Sequence, residues 1–561
     1  MDQELRRLVK EDTPPLNETT ANGLACTYIP LCEKYIDDVW RAVSASFPEG
    51  VKYLGSRRML PPEELRETAK KNQRNQTKGR FDMARTDIFM RSYHFSVNGE
   101  ELPPKYLQLP FVSDAGEIYI GGSRFVISPV LSDRVISPTL TGVFIRLLMA
   151  RLTIDRMNYD YIAHNYQDSG DAARDVAGYE RGRRESVQIP WSRIYNGKMR
   201  NKPMVQARST LAHYLFCKYG LTETFRKFAN CQVVVGKDDI NPQNYPPDQW
   251  VICRTTYTHT IKPRGVKSLI YKPTELRLAI RVEEYTPMVK SLVAGFFYVA
   301  DHYPTQIELE YVDSLYKWRI ALGYAVIADN IGHGDLYDEV CNHIDSLDKY
   351  VDTVTHKTLQ AIGVPVDDVY ELFAVVLEQI NGWARSASES INSLYGKEPN
   401  ILYYVMFEIT SAIVLLYFKL KSAAKEGLDV ATVKNIFQMS TLKPGLIYKI
   451  RQGHSEVSTE ACPGDNKAFK ITSIMVPQAN SSRQAGRKDR GTAADPTKHL
   501  HFSTAEIAGY TNISKGDPSG HSRMNLHARL DEHGVFVQNP YLAELFASVQ
   551  ELIKRRLPGL S

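Results

Sequence analysis

Four cations fall within eight residues in the stretch Ser482-Arg-Gln-Ala-Gly-Arg-Lys-Asp-Arg490, and Lys498 and His499 follow shortly after. Arginine and lysine carried on a loop of small residues reach phosphate oxygens, and each such contact releases counterions from a nucleic acid. Arg483, Arg487, Lys488, Arg490, Lys498 and His499 are therefore the candidate nucleic-acid contacts, although a run of this kind taken alone reads as a solvated loop. A second basic run, with Lys70, Lys71, Arg74, Lys78 and Arg80 and no acid between them, reads as a solvated surface first and a phosphate contact second.

Other constellations that would signal chemistry are missing from the sequence. Gly516-Asp-Pro-Ser-Gly520-His-Ser has a phosphate-loop flavour but the wrong spacing and no lysine to neutralise phosphate charge. There is no HExxH, no GxSxG elbow and no cluster of carboxylates able to hold the two magnesium ions of nucleotidyl transfer. The histidines at 499, 501, 521, 527 and 533 have no cysteine or carboxylate at ligand spacing. Seven cysteines form no CxxC pair, which reads as a reduced, intracellular protein with small buried thiols. No residue is nominated as catalytic and none as a metal ligand.

These candidates must be positioned by a large α+β chain. At 561 residues, with 43% hydrophobic and 24% charged residues, it exceeds what a single core serves, and three or four domains are expected. A net charge of +5 is too mild for a protein that coats nucleic acid along its length, so any polyanion site is local. Residues 1–140 read as an N-terminal region leading into short strands, clearest in Glu117-Ile-Tyr-Ile and Arg124-Phe-Val-Ile-Ser128 around a Gly-Gly turn. Residues 141–312 read as a separate α+β module, with a helical start in GVFIRLLMARLTIDRM and strands in QVVVGKDD and LRLAIRVEEYT.

From 313 to 470 the chain reads as helical. Leu336, Val340, Ile344, Leu347, Val351 and Val354 predict one amphipathic helix stopped near Gly363, and another is expected from Val369 to about Ile380. Ile401 to Phe418 is apolar enough to imitate a membrane span. Glu408 at its middle would cost roughly 2.5 to 3.5 kcal/mol there, so a buried helix and no membrane association are expected. Residues 471–561 lose periodicity and read as a loop-rich, fork-like region, within which 477–535 read as long loops that a partner orders.

Three segments, in order, resemble the β-type large subunit of multisubunit DNA-dependent RNA polymerases. Ala84-Arg85, Tyr93, Val97-Asn-Gly-Glu100, Leu109-Pro110-Phe-Val112 and the run Gly116 to Ile127, with Gly122 and Ser123 at its turn, are similar to the strands and the GYFIINGSERVI-type hairpin of the protrusion domain. Arg124 and Phe125 stand where that family usually has Glu-Arg. Asp313 to Gly323, including Arg319, is similar to a DHxxNRRxxxxG element at which the lobe returns to the protrusion. Asn480-Ser-Ser-Arg483, Pro496-Thr-Lys-His-Leu-His501 and Asp517-Pro518-Ser-Gly520-His-Ser-Arg-Met-Asn525-Leu526 resemble successive motifs of the fork.

The resemblance implies an α+β multidomain fold of protrusion and lobe followed by fork-like loops. With the sequence ending at Ser561, soon after the last motif, it implies the N-terminal half of a split β-type subunit of the giant-bacteriophage kind. The chain would be a non-catalytic part of a nucleotidyltransferase, forming one side of the DNA cleft and contacting template DNA and the RNA:DNA hybrid. It would bind no cofactor itself, the magnesium belonging to a β′-like chain. Expected partners are the C-terminal β-like fragment, β′-like fragments and a promoter-specificity subunit, in the cytoplasm of the infected host or in the virion if packaged. A phage virion structural or assembly protein with a degenerate polymerase-like fold is the alternative.

Overall fold

The computed structural model describes residues 24–74, 88–112, 116–120, 123–127, 130–132, 134–139, 141–164, 183–192, 194, 208–256, 274–327, 332–395, 397–400, 403–425, 427, 429–439, 459–461, 473–476, 501, 503–507, 520–525, 528–531 and 535–556. The chain divides into two compact units, one built from residues 1–134 and 389–561 and the other from 135–388. Among the described residues no helix is long and apolar enough to cross a membrane.

The first unit opens with α1 (Leu24–Ser44), whose Ile29, Cys32, Ile36, Val39, Trp40 and Val43 recur at helical spacing and are buried. After β1 (Val51–Arg58) and α2 (Pro61–Arg74), β2 (Ile88–Val97) forms the centre of a four-stranded sheet with β1, β3 (Glu100–Glu101) and β4 (Lys105–Pro110). Trp40 anchors the helix on this sheet, its ring centroid 4.8 Å from that of Phe95 and 5.9 Å from that of Tyr93. The expected hairpin is present as β5 (Glu117–Ile120) and β6 (Ser123–Ile127), paired from Glu117 opposite Val126 to Ile120 opposite Ser123. The short β7 (Val130–Ser132) precedes the second unit.

That second unit is built on an eight-stranded sheet. Its strands β8 (Ile136–Pro138), β9 (Gly142–Arg146), β10 (Arg151–His164), β11 (Arg183–Ser192) and β12 (Ser209–Thr210) lead to helices α3 (Leu211–Tyr219) and α4 (Leu221–Ala229). Strands β13 (Val234–Gly236), β14 (Trp250–Thr255) and β15 (Arg277–Arg281) follow, and the central order is β12-β11-β10-β14-β15-β13. The stretch GVFIRLLMARLTIDRM, expected as helix, is instead the β9–β10 hairpin. Val143, Ile145 and Leu147, then Leu152 and Ile154, are buried at alternate positions, so the operative period is two.

Five further helices complete this unit: α5 (Pro287–His302), α6 (Leu315–Val326), α7 (His333–Leu347), α8 (Thr353–Ala361) and α9 (Val369–Asn392). Residue 312, where the sequence pattern turns from mixed to helical, is not a boundary of the packing. Trp318 of α6 lies 4.8 Å from Phe216 of α3 and 6.2 Å from Phe296 of α5, and all belong to one hydrophobic core with the strands. The single helix expected from Leu336 to Val354 is two, because the Asp352 carboxylate accepts from the backbone of Val354 and Thr355 and starts α8 afresh.

The chain then returns to the first unit. β16 (Glu398–Asn400) pairs with β7, and α10 (Tyr403–Ala424) packs against α1 while α11 (Val430–Met439) sets Phe437 on Phe95. From Tyr403 onward the apolar stretch is thus a helix covered on one side: Ile413, Leu416, Tyr417 and Leu420 are buried, Leu415 and Phe418 exposed. β17 (Thr459–Ala461) extends the hairpin at β6, and β18 (Ser473–Val476) runs beside β7. After α12 (Ser503–Ile507) come β19 (Gly520–Arg523), which pairs with β18, and the pair β20 (Arg529–Leu530) and β21 (Phe536–Val537). Beyond the stretch 477–535 that reads as loops lies α13 (Pro540–Arg556). Its start is chemically marked by Asn539, whose side chain accepts from Tyr541, and by Pro540 in the first turn.

Candidate nucleic-acid interface

The six cations nominated from the sequence, Arg483, Arg487, Lys488, Arg490, Lys498 and His499, lie outside the described residues, as do Gly122, Asp517 and Pro518. Of the second basic run, Lys70, Lys71 and Arg74 sit in α2, and Lys78 and Arg80 are outside.

The remaining motif positions have structural duties. Pro110 ends β4 opposite Ile88, and Gly116 takes a φ of 79° ahead of β5, a backbone state open to glycine. Ser123 opens β6, and Arg124 reaches Glu117 across the hairpin at 3.4 Å. Gly520 pairs with Val476, and the Asn525 amide donates to the Ile507 carbonyl at 2.7 Å.

Asp313 serves a helix that cannot cap itself. Gly220, the residue before α4, has no side chain to offer, and the Asp313 carboxylate accepts instead from the Thr222 amide at 2.8 Å and its hydroxyl at 2.7 Å. Arg319 donates through Nε to the Cys217 carbonyl at the end of α3 and through Nη1 to Cys341 Sγ of α7, both at 3.1 Å. Nearby His213 holds Ser209 at 2.6 Å and the Trp318 carbonyl at 3.0 Å, and burial pushes its imidazole down to about 4, so it is neutral.

The eight-stranded sheet has two chemically different faces. On the face toward α5, Asp301 accepts from Tyr159 and, at 2.7 Å, from Thr255, while Tyr161 and Tyr285 share a hydrogen bond of 2.5 Å. Burial raises the Asp301 carboxyl to about 6 against the lowering effect of its hydroxyl donors.

On the opposite face the pairing places Arg184 of β11 beside Ile162 of β10, Ile162 beside Arg254 of β14, and Arg254 beside Arg277 of β15. Directly paired residues of antiparallel strands point to the same side, so the three arginines share one face, and Arg277 also donates through Nη1 to the Ile240 carbonyl at 3.0 Å. The same face carries Ile252 and Ala279, which pack with Ile240, Tyr245 and Trp250. Asp160 pairs with Arg184 and Asp238 with Arg277, the latter at 3.0 Å, and Arg156 on the same face donates to Gln188 at 2.7 Å. Sequence reasoning missed this row because its members are 23 to 93 residues apart and only strand register unites them.

A protein-family model described as non-virion RNA polymerase subunit matches residues 3–548, nearly the whole chain. No curated protein matches it. With both units spanned by that match, the chain belongs to the non-virion RNA polymerase subunit family.

Proposed function

We propose that this chain is the N-terminal, β-like fragment of a multisubunit phage RNA polymerase and handles DNA without carrying the catalytic centre. In this reading unit 135–388 is the lobe, and the unit formed by residues 1–134 and 389–561 is the protrusion with the fork-like residues. One observation carries it: the first unit is interrupted by the second and completed after it. β7 receives β16 and β18, and β6 receives β17, so strands from before residue 134 are finished by strands from beyond 389. Such nesting suits a protrusion into which a lobe is inserted, with the Asp313–Gly323 element on the way back.

The chain would then form one side of the DNA cleft, beside the template and the RNA:DNA hybrid. Partner chains would be the C-terminal β-like fragment, β′-like fragments that hold magnesium, and a promoter-specificity subunit. The family description, non-virion, favours work in the cytoplasm of the infected cell over packaging. Purification of a tagged copy from infected cells, with mass spectrometry of what accompanies it and a transcription assay, tests this. Recovery of other large polymerase chains with RNA synthesis supports the reading; recovery alone or with capsid proteins, and no synthesis, favours the structural protein.

A further inference from the structure

We infer that Glu506 is the pin of a conformational latch, closed by Tyr395, that holds α12, β21 and the start of α13 of the fork-like region against a strap of chain at 394–397. The Glu506 side chain is buried, and its two oxygens are divided between donors from distant parts of the sequence. Oε2 accepts from the Tyr395 hydroxyl, and Oε1 accepts from the Asn539 amide at 2.8 Å. Burial and the bond to Glu506 push the Tyr395 hydroxyl well above its ordinary range, so it keeps its proton and remains a donor. The strap makes two further holds. Its Leu394 amide donates to the buried Ser503 hydroxyl at 2.7 Å, and its Lys397 carbonyl accepts from the Phe536 amide at 3.0 Å. Directly after it, β16 pairs with β7, which anchors the strap on its far side.

Asn539 lies 33 residues beyond Glu506, so the chain between them leaves and returns to one carboxyl. The Asn525 amide, which donates to the Ile507 carbonyl at 2.7 Å, ties the middle of that excursion to the same place. Closing an excursion costs entropy that grows only slowly with its length, so the bonds at its base decide whether it is held. Among them the two on Glu506 have the most at stake. Removing the Tyr395 hydroxyl leaves Oε2 buried without the donor it has here, which costs more than the bond itself contributes. Segments secured in this way open as local units before the whole chain unfolds. The latch therefore sets how firmly the segment that carries the fork-like motifs is held, and its bearing on transcription rests on the proposed function.

Hydrogen exchange of the full-length chain, read by mass spectrometry of its peptides, tests the latch. Tyr395→Phe keeps the ring and removes only the donor. In that variant the amides of α12, Phe536 and Asn539 should exchange roughly tenfold faster, while β10 and β11 of the other unit keep the parental rate. Glu506→Ala removes both acceptors and should have the larger effect, and Tyr395→Phe decides the matter if that variant does not fold. Asp313→Ala, which uncaps α4, is the control and should leave α12 and Phe536 at the parental rate. The latch is overturned if Tyr395→Phe leaves exchange in α12 and at Phe536 unchanged, or if β10 and β11 speed up as much. In polymerase purified from infected cells, a copy carrying Tyr395→Phe should support less RNA synthesis than the parent, and unchanged synthesis despite faster exchange would overturn the part of the latch in transcription. Exchange reads the latch without any partner chain, so failure to recover polymerase chains would sink the proposed function alone.

Discussion

On the inner face of the eight-stranded sheet, Tyr159 and Thr255 both donate to Asp301 Oδ2, Tyr161 holds Tyr285, and α5 covers them. On the outer face, Arg184, Arg254 and Arg277 stand in register with two aspartates at the margins of the row. Both faces are polar, yet their energetics differ. A buried polar group left without its partner costs about 1 to 3 kcal/mol, so inner residues are bound to the fold, whereas an exposed ion pair contributes about 0 to 1 kcal/mol. The contrast predicts that inner substitutions cost far more stability than outer ones.

The largest effect belongs to the apolar partner of the inner face. Phe297 is fully buried on α5 and stacks on Tyr161 with ring centroids 6.1 Å apart. Phe297→Ala should cost about 3 to 5 kcal/mol through lost transfer energy and the cavity left behind. Urea unfolding of the full chain measures it, and a loss below about 1 kcal/mol would mean that α5 does not seal the sheet as described.

Next comes the buried carboxyl. Asp301 is raised by burial from 3.8 to about 6, so the folded state holds a proton that the unfolded chain has released. Its contribution is most favourable below pH 4 and is lost as the pH rises through 6, at ~1.4 kcal/mol per pH unit a loss of roughly 3 kcal/mol. His213 and His343, both pushed down to about 4 by burial, run the other way: the unfolded chain takes up their protons below about pH 6.5, which lowers stability as the pH falls. The informative quantity is therefore the difference between parent and Asp301→Asn, which should rise in favour of the variant from pH 4 to 7. A flat difference curve would show that Asp301 is not held protonated by its burial.

Smaller again is the cap. Asp313 is exposed but supports the first turn of α4, and Asp313→Ala should cost about 1 kcal/mol, within the 0.5 to 2 kcal/mol spanned by lost caps. An unchanged unfolding free energy would show that Asp313 does not cap Thr222.

Much of the local structure is legible in the sequence, and the failures share a cause. The 117–127 hairpin follows from alternation around two glycines, and α9 from its helical period. The 143–154 hairpin was misread as helix because a dense apolar run fits both periods until pairing decides between them. The stop at Asp352 was overlooked because the apolar spacing continues through it while the carboxylate reorganises the backbone. Asp313 and Arg319 stand out in the sequence as a motif, but their tasks, a cap for Thr222 and a tie between Cys217 and Cys341, depend on partners 22 to 102 residues away. The outer arginines carry no local signature at all: Arg184, Arg254 and Arg277 become a row only through the register of β11, β10, β14 and β15. Long-range pairing is what a single sequence withholds.

The smallest expected change in stability is at the outer end of that row, and it sharpens the comparison most. Arg184 is 70% exposed and donates to Asp160, whose carboxyl is held below its ordinary value by the Ser186 hydroxyl and then by Arg184 itself. Water screens the pair, and Ser186 still donates to the aspartate when the arginine is gone, so Arg184→Ala should change unfolding free energy by no more than about 0.5 kcal/mol. Urea unfolding of the one variant decides the matter. Loss of stability above about 1.5 kcal/mol would make Arg184 a structural residue like those beneath it, and the two faces of the sheet would then differ in exposure alone.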